Sequence, residues 1–131
     1  MPVAFRVRRS RIHGRGLFTV GPIARRGKLG ELSGELRRLP EARHDHQGRE
    51  VIQLVELSRR WALDCTQGNA FRHLNHSCLG NCYLRIFRRH VEIYSRGPIA
   101  AGVELTVDYG ETQHRGGMVC RCGAPGCRSR I

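Results

Sequence analysis

The 131-residue chain has no run of about 18 apolar residues, so no transmembrane helix is expected. Its opening, MPVAFRVRRSR, runs straight into charge without an apolar stretch, so a secretory leader is not expected either. On these two grounds an intracellular protein is expected, with cytoplasm and nucleus left open. Lysine is nearly missing, with Lys28 alone against 22 arginines. Acidic residues are also few, 11 against 23 Lys plus Arg, and the net charge is +12. An arginine-favouring codon bias would give this balance, and so would a positive surface that meets nucleic acid, a membrane face or an acidic partner. Internal repeats, low-complexity tracts and Pro/Ser linkers are absent, which leaves room for one domain. A domain of this size buries roughly 65–70% of its unfolded surface, so it has no absolute need of a metal or crosslinks to fold.

What is present is a series of short apolar stretches with Gly-containing breaks. FRVRRS, GLFTV, LGELSGEL, VIQLVEL, WALD, YLRIF, VEIYS and ELTVDY are rich in Val, Ile, Phe and Tyr. This pattern predicts a mostly β domain with short helices. The helix candidates are 40–48 (PEARHDHQG) and 69–75 (NAFRHLN), each of about two turns at most. Six glycines between Gly14 and Gly34 predict tight turns, with backbone close to something bound.

Four segments carry candidate chemistry. In His13-Gly14-Arg15-Gly16-Leu17-Phe18, glycines two apart let backbone groups approach a ligand without Cβ interference. No GxGxxG follows, so a dinucleotide site is not supported. The stretch Gly68–Asn81, GNAFRHLNHSCLGN, is a polar knot in an apolar region, and such side chains must pair with one another or with a polar ligand. Cys78 beside His76 raises a nucleophile–base pair, but sequence neighbours seldom have the geometry for it. In Glu104–Gly110, period-two alternation places Leu105, Val107 and Tyr109 on one strand face, where a tyrosine usually packs in the core with its hydroxyl satisfied. Last, CRCGAPGCR offers three thiols in eight residues, Cys120, Cys122 and Cys127. Without a leader these suit a metal better than disulfides. Structural zinc takes four ligands, and Cys65, Cys78, Cys82 and His114 are the candidates for the fourth.

Together and in this order, the four segments resemble a SET domain with its post-SET loop, from the protein-lysine methyltransferase family. SRIHGRGLF is similar to the family's opening turn, and GNAFRHLNHSCLGN to its GNxxRFxNHSCxPN signature. GPIAAGVELTVDYG is similar to the closing strand and tyrosine, and CRCGAPGCR to CxCGxxxCR. The resemblance implies a β-clip fold of small sheets with a C-terminal pseudoknot and a zinc-binding post-SET loop. It divides the chain into a SET domain, 1–113, and a post-SET tail, 114–131.

The same resemblance implies S-adenosyl-L-methionine on one face and a lysine entering from the other through a narrow channel. The substrate would be a histone or another lysine-rich protein. Gly14, Arg15, Gly16, Arg72, Asn75, His76 and Tyr109 match the cofactor-binding positions. Tyr109 also matches the catalytic tyrosine at the channel's inner end, which orients the methyl and the amine. Cys78, Cys120, Cys122 and Cys127 match the four-cysteine zinc site, leaving Cys65 and Cys82 to pack as small apolar residues. Leu32 and Val107 replace channel aromatics, His73 replaces an aromatic and Gly80 a proline. The channel should therefore be wider and less polar, with Tyr83 or Tyr94 available to fill part of the gap. Glu31, Glu35, Glu104, Asp108 and Glu111 are candidates for an acidic substrate groove. Two other function classes fit the composition: a catalytically weak relative that binds cofactor or peptide, and a zinc-stabilised basic module that binds nucleic acid.

Overall fold

The computed structural model describes residues 3–49, 51–110 and 118–131. Every apolar stretch singled out above contributes to a strand. The strands are β1 (Phe5–Arg9), β2 (Arg15–Thr19), β3 (Gly27–Leu32), β4 (Glu35–Arg38), β5 (Leu54–Glu56), β6 (Trp61–Asp64), β7 (Asn75–His76), β8 (Cys82–Phe87), β9 (His90–Ser95) and β10 (Glu104–Val107). The helix α1 spans Leu39–His46, with Pro40 in its first turn, where the missing N–H costs nothing. Segment 69–75 is shorter than expected as a helix. It makes one 3-10 turn, Ala70–His73, and its last residue already belongs to β7. Among the described residues no helix is long and apolar enough to cross a membrane.

One sheet runs β1-β2-β10-β8-β9-β3, and a smaller one runs β4-β6-β5. Four-residue β10 is the hub. It pairs antiparallel with β2 (Leu105 opposite Leu17) and parallel with both β7 (Thr106 opposite Asn75) and β8 (Val107 opposite Cys82). Surrounded this way, β10 does not show the one-sided alternation expected of it, because Leu105, Thr106 and Val107 are all buried. The strand also ends at Val107, so Tyr109 lies beyond it. The core collects Leu17, Leu32, Leu74, Val91, Ile93, Leu105 and Val107, and both leftover cysteines. Burial raises the thiol pKa of Cys65 to about 12 and of Cys82 to about 11, so both pack as neutral, inert groups.

Gly80 packs directly on the hub. A Cβ there would stand 2.8 Å from the Cα of Val107 and 2.9 Å from the Thr106 carbonyl oxygen. The smaller sheet has its own buried polar centre: Asp64 accepts from Thr66, His46 and Arg37, and Arg37 also pairs with Asp45.

Candidate active site and thiolate cluster

Pairing on β10 draws the first three sequence segments together. Ser10 donates to both oxygens of Glu104, at 2.8 and 3.0 Å, and its hydroxyl accepts from the Ile12 N–H at 2.9 Å. The Asn75 amide nitrogen is shared among the His13 carbonyl (3.0 Å), the Arg15 carbonyl (3.1 Å) and Glu104 Oε2 (2.9 Å). Asn75 and Glu104 thus clamp the Gly14–Gly16 turn from below. Gly14 has φ +43°, a conformation that favours glycine. Gly16 has a different reason: a Cβ would lie 2.3 Å from Glu104 Oε2.

His76 is almost fully buried and joins two parts of the site. Its Nδ1 accepts the Tyr109 backbone N–H at 3.0 Å, so the ring proton sits on Nε2, which faces Cys78 Sγ at 3.2 Å. Burial lowers the His76 pKa, and Arg128 adds to this while Asp108 opposes it. The imidazole is therefore a neutral donor to the sulfur. Cys78 and His76 do meet, contrary to the expectation from adjacency, but the thiol is engaged elsewhere. The Sγ atoms of Cys78, Cys120, Cys122 and Cys127 all lie within 4.8 Å of one another, with Cys78 and Cys120 3.8 Å apart. Four sulfurs on a tetrahedral zinc would stand about 3.8 Å apart, so the set fits that ion.

Backbone donors surround the sulfurs. Cys78 N–H points at Cys122 Sγ (3.5 Å), and the Arg128 N–H at Cys78 Sγ (3.3 Å). Burial opposes ionisation of Cys122, but N–H donors from Cys78 and Ala124 outweigh it and bring the thiol to about 6. Cys120, raised by burial and by its neighbouring thiols, is pushed up to about 12. A dication would let all four ionise together. His114, the other candidate for a fourth ligand, lies outside the described residues, as do Glu111 and the boundary between 113 and 114.

The tail closes on itself and is tied to the body. Met118 and Ile131 exchange backbone hydrogen bonds at 3.1 and 2.9 Å. Arg128 grips Asp108 at 2.7 and 3.1 Å. The result is a cavity of about 520 Å³, walled by the opening turn, the polar knot, Tyr109 and the tail. Gly14, Arg15, Arg72, Asn75, His76 and Tyr109 line it; Gly16 does not. A second cavity of about 230 Å³ adjoins it, with Leu32, Leu54, Val55, Leu84 and Val107 in its walls. Ile52, Gln53, Arg72, Leu74 and Tyr109 belong to both. The partly buried Tyr109 donates its hydroxyl proton to the Leu74 carbonyl oxygen. Burial and the charge of Glu104 push its pKa up, so it stays protonated.

Residues 14–110 match the SET domain family. The chain belongs to that family. It is 37% identical, over 93% of its length, to a fission-yeast protein named histone-lysine N-methyltransferase, H3 lysine-4 specific. It is 33% identical over 94% of its length to histone-lysine N-methyltransferase SETD1 of Drosophila melanogaster, and 32% over 94% to human SETD1A. The chain spans 14% of the fission-yeast protein and 8% of each of the other two.

Within this SET domain the two missing aromatics both fall on the smaller cavity, where Leu32 and Val107 leave apolar wall. Tyr83 and Tyr94 do not fill the gap. They stack on each other across β8 and β9, 5.4 Å between ring centres, and neither lines the cavity. The acidic groove is also reassigned in part: Glu104 clamps the turn, Asp108 holds Arg128 and Glu31 pairs with His90. Sequence reasoning missed the Ser10–Glu104–Asn75 clamp and the Asp108–Arg128 tie. It also missed the wall contributed by residues 52–55, which the sequence marked only by the apolar run VIQLVEL.

Proposed function

We propose that this SET domain transfers a methyl group from S-adenosyl-L-methionine to a lysine side chain of a histone or another lysine-rich protein. The observation that carries the reading is the pair of cavities sharing a wall at Ile52, Gln53, Arg72, Leu74 and Tyr109. The larger has a volume within the roughly 300–1,000 Å³ of small-molecule sites, and its lining mixes backbone, amide, imidazole and guanidinium groups. The smaller offers Leu32, Leu54, Leu84 and Val107 to an alkyl side chain, with Arg43, Gln53, Glu56 and Arg72 completing its lining. The relatives' names point to the same reaction and to histone H3 as a substrate.

Bound in the larger cavity, the cofactor would supply an electrophilic methyl on a sulfonium. Gly14, Arg15, Arg72, Asn75, His76 and Tyr109 are the residues that would hold it, with Gly16 allowing the Glu104 clamp beneath the turn. The protein's main contribution is positioning, because an in-line displacement needs alignment more than proton chemistry. A lysine amine has a pKa of about 10.4 and attacks only when neutral. The apolar walls of Leu32, Leu54, Leu84 and Val107 and the cations Arg43 and Arg72 disfavour the ammonium form, with Glu56 the one opposing charge in the lining. Tyr109 serves as the catalytic residue by orienting the amine through its hydroxyl oxygen. Its raised pKa makes it unfit as a general base. Four cysteine thiolates would hold one structural zinc ion. Residues 114–131 would then act as a tail that closes the larger cavity, behind a catalytic body of residues 1–113.

The test is a calorimetric titration of zinc-loaded protein with S-adenosyl-L-methionine, followed by labelled-methyl transfer to histone H3 and to lysine-rich peptides. Saturable binding and label on a lysine are expected. Folded, metal-replete protein that binds no cofactor would reject the reading.

A further inference from the structure

The outer face of the β8–β9–β3 portion of the sheet is built from alternating aromatics and cations. Tyr83, Arg85 and Phe87 point outward along β8, opposite Tyr94, Glu92 and His90 on β9. Arg26 and Arg96 both lie over the Tyr83 ring, at 5.4 and 5.3 Å, and Arg85 and Arg88 lie over Phe87, at 5.8 and 5.3 Å. Phe87 is 53% exposed. The acids present are occupied: Glu92 pairs with Lys28 at 2.7 Å and reaches Arg85 at 4.0 Å, and Glu31 pairs with His90. The hairpin tip adds a further oddity. Arg88 and Arg89 have φ of 48° and 69°, in a turn where Asn-Gly would be cheaper. Backbone strain of this kind tends to persist where a function needs the side chain.

From this face we infer a binding site for single-stranded nucleic acid. Guanidinium groups suit phosphate oxygens, and the exposed Phe87 ring between Arg85 and Arg88 offers stacking surface to an unpaired base. An acidic protein would use the charges but would have no need of interleaved rings. A duplex keeps its bases out of reach of such a flat platform. The opposite face of β8 carries Leu84 and Ile86, which line the smaller cavity, so a strand bound outside leaves that cavity free. The inference therefore stands whether or not the methyl-transfer reading does.

The experiment uses the full, metal-loaded chain and a fluorescein-labelled 12-mer of oligothymidine, read by anisotropy over a salt series. Phe87→Ala should weaken binding about tenfold or more, and Phe87→Tyr should restore it. Arg85→Ala with Arg88→Ala should lower the slope of log affinity against log salt by about 1.4, at roughly 0.7 per phosphate contact. Arg6→Ala with Arg8→Ala, an equal loss of charge on β1 at the far edge of the sheet, should change affinity less than about twofold. Four results would overturn the inference: an unchanged Phe87→Ala, an equal effect from the β1 pair, a duplex bound as tightly as the single strand, or displacement by polyglutamate of matched charge. The last would instead assign the face to an acidic protein.

Discussion

Gly16→Ala tests the clamp beneath the opening turn. Gly16 is not in the left-handed region, so alanine fits the backbone, and the whole penalty comes from what its Cβ meets. That atom would stand 2.3 Å from Glu104 Oε2 and 2.7 Å from its Cδ, so the carboxylate must withdraw. Withdrawal breaks the Ser10 bonds at 2.8 and 3.0 Å and the Asn75 bond at 2.9 Å. Hydrogen bonds to a charged group contribute about 1.5–3 kcal/mol each, and water will replace some of them at this partly buried site. Reduced freedom of the unfolded chain returns about 0.4–1 kcal/mol. The net cost should be about 1–3 kcal/mol, read as a lower urea midpoint with an unchanged slope. The decisive arm repeats the substitution in a Glu104→Ala background, where only the Ser10 Cβ, at 3.1 Å, still crowds the new atom. There most of the cost should go, giving a coupling of about 2 kcal/mol. If Gly16→Ala costs the same in both backgrounds, within about 0.5 kcal/mol, the clamp is not why glycine is needed.

Tyr109→Phe should abolish most methyl transfer while changing the S-adenosyl-L-methionine Kd less than about threefold, since the ring keeps its place in the shared wall; single-turnover assays beside calorimetry separate the two. Cys127→Ser should lose a near-stoichiometric zinc by metal analysis and weaken cofactor binding, because the tail walls the larger cavity. Burial works against ionised Asp64, but hydrogen bonds from Thr66, His46 and Arg37 hold its carboxyl well below the usual carboxylate range. Its stabilisation is thus full above the unfolded pKa of about 3.9 and fades as pH falls towards the lower folded value. Denaturation across acidic pH should show a shallower decline for Asp64→Asn than for the wild type; parallel curves would dismiss the network's role. Leu32→Tyr should narrow the smaller cavity and reduce the number of methyl groups added per lysine, which mass spectrometry of the product would show.

The strands were legible because each carries its own apolar residues, so VEIYS or YLRIF announces itself without help from the rest of the chain. β7 was not, since Asn75 and His76 are polar and become a strand only through β10. The three tail cysteines were legible from their spacing alone, whereas Cys78 was picked from the four candidates for the fourth ligand only through the family resemblance. The purpose of Gly16 was hidden, because its reason is a carboxylate from the far end of the sequence. Tyr83 and Tyr94 were misjudged for the opposite cause. A tyrosine on an exposed sheet face satisfies the same local pattern as one lining a channel, and only the cross-strand register tells them apart.

Placing β10 at the hub has a consequence for how the molecule comes into being. Ser10 and Glu104, joined in the finished clamp, are 94 positions apart in the chain. Contacts of such span close late in folding, after the loop entropy between them has been overcome. During synthesis the hairpins β1–β2 and β8–β9 can form as they emerge, yet neither holds a pocket. Only when Glu104–Val107 slots between β2, β7 and β8 do the turn, the amide clamp and the tyrosine acquire fixed positions, in one cooperative event. Any fragment that stops short of this strand should therefore bind no cofactor at all, whatever secondary structure it retains.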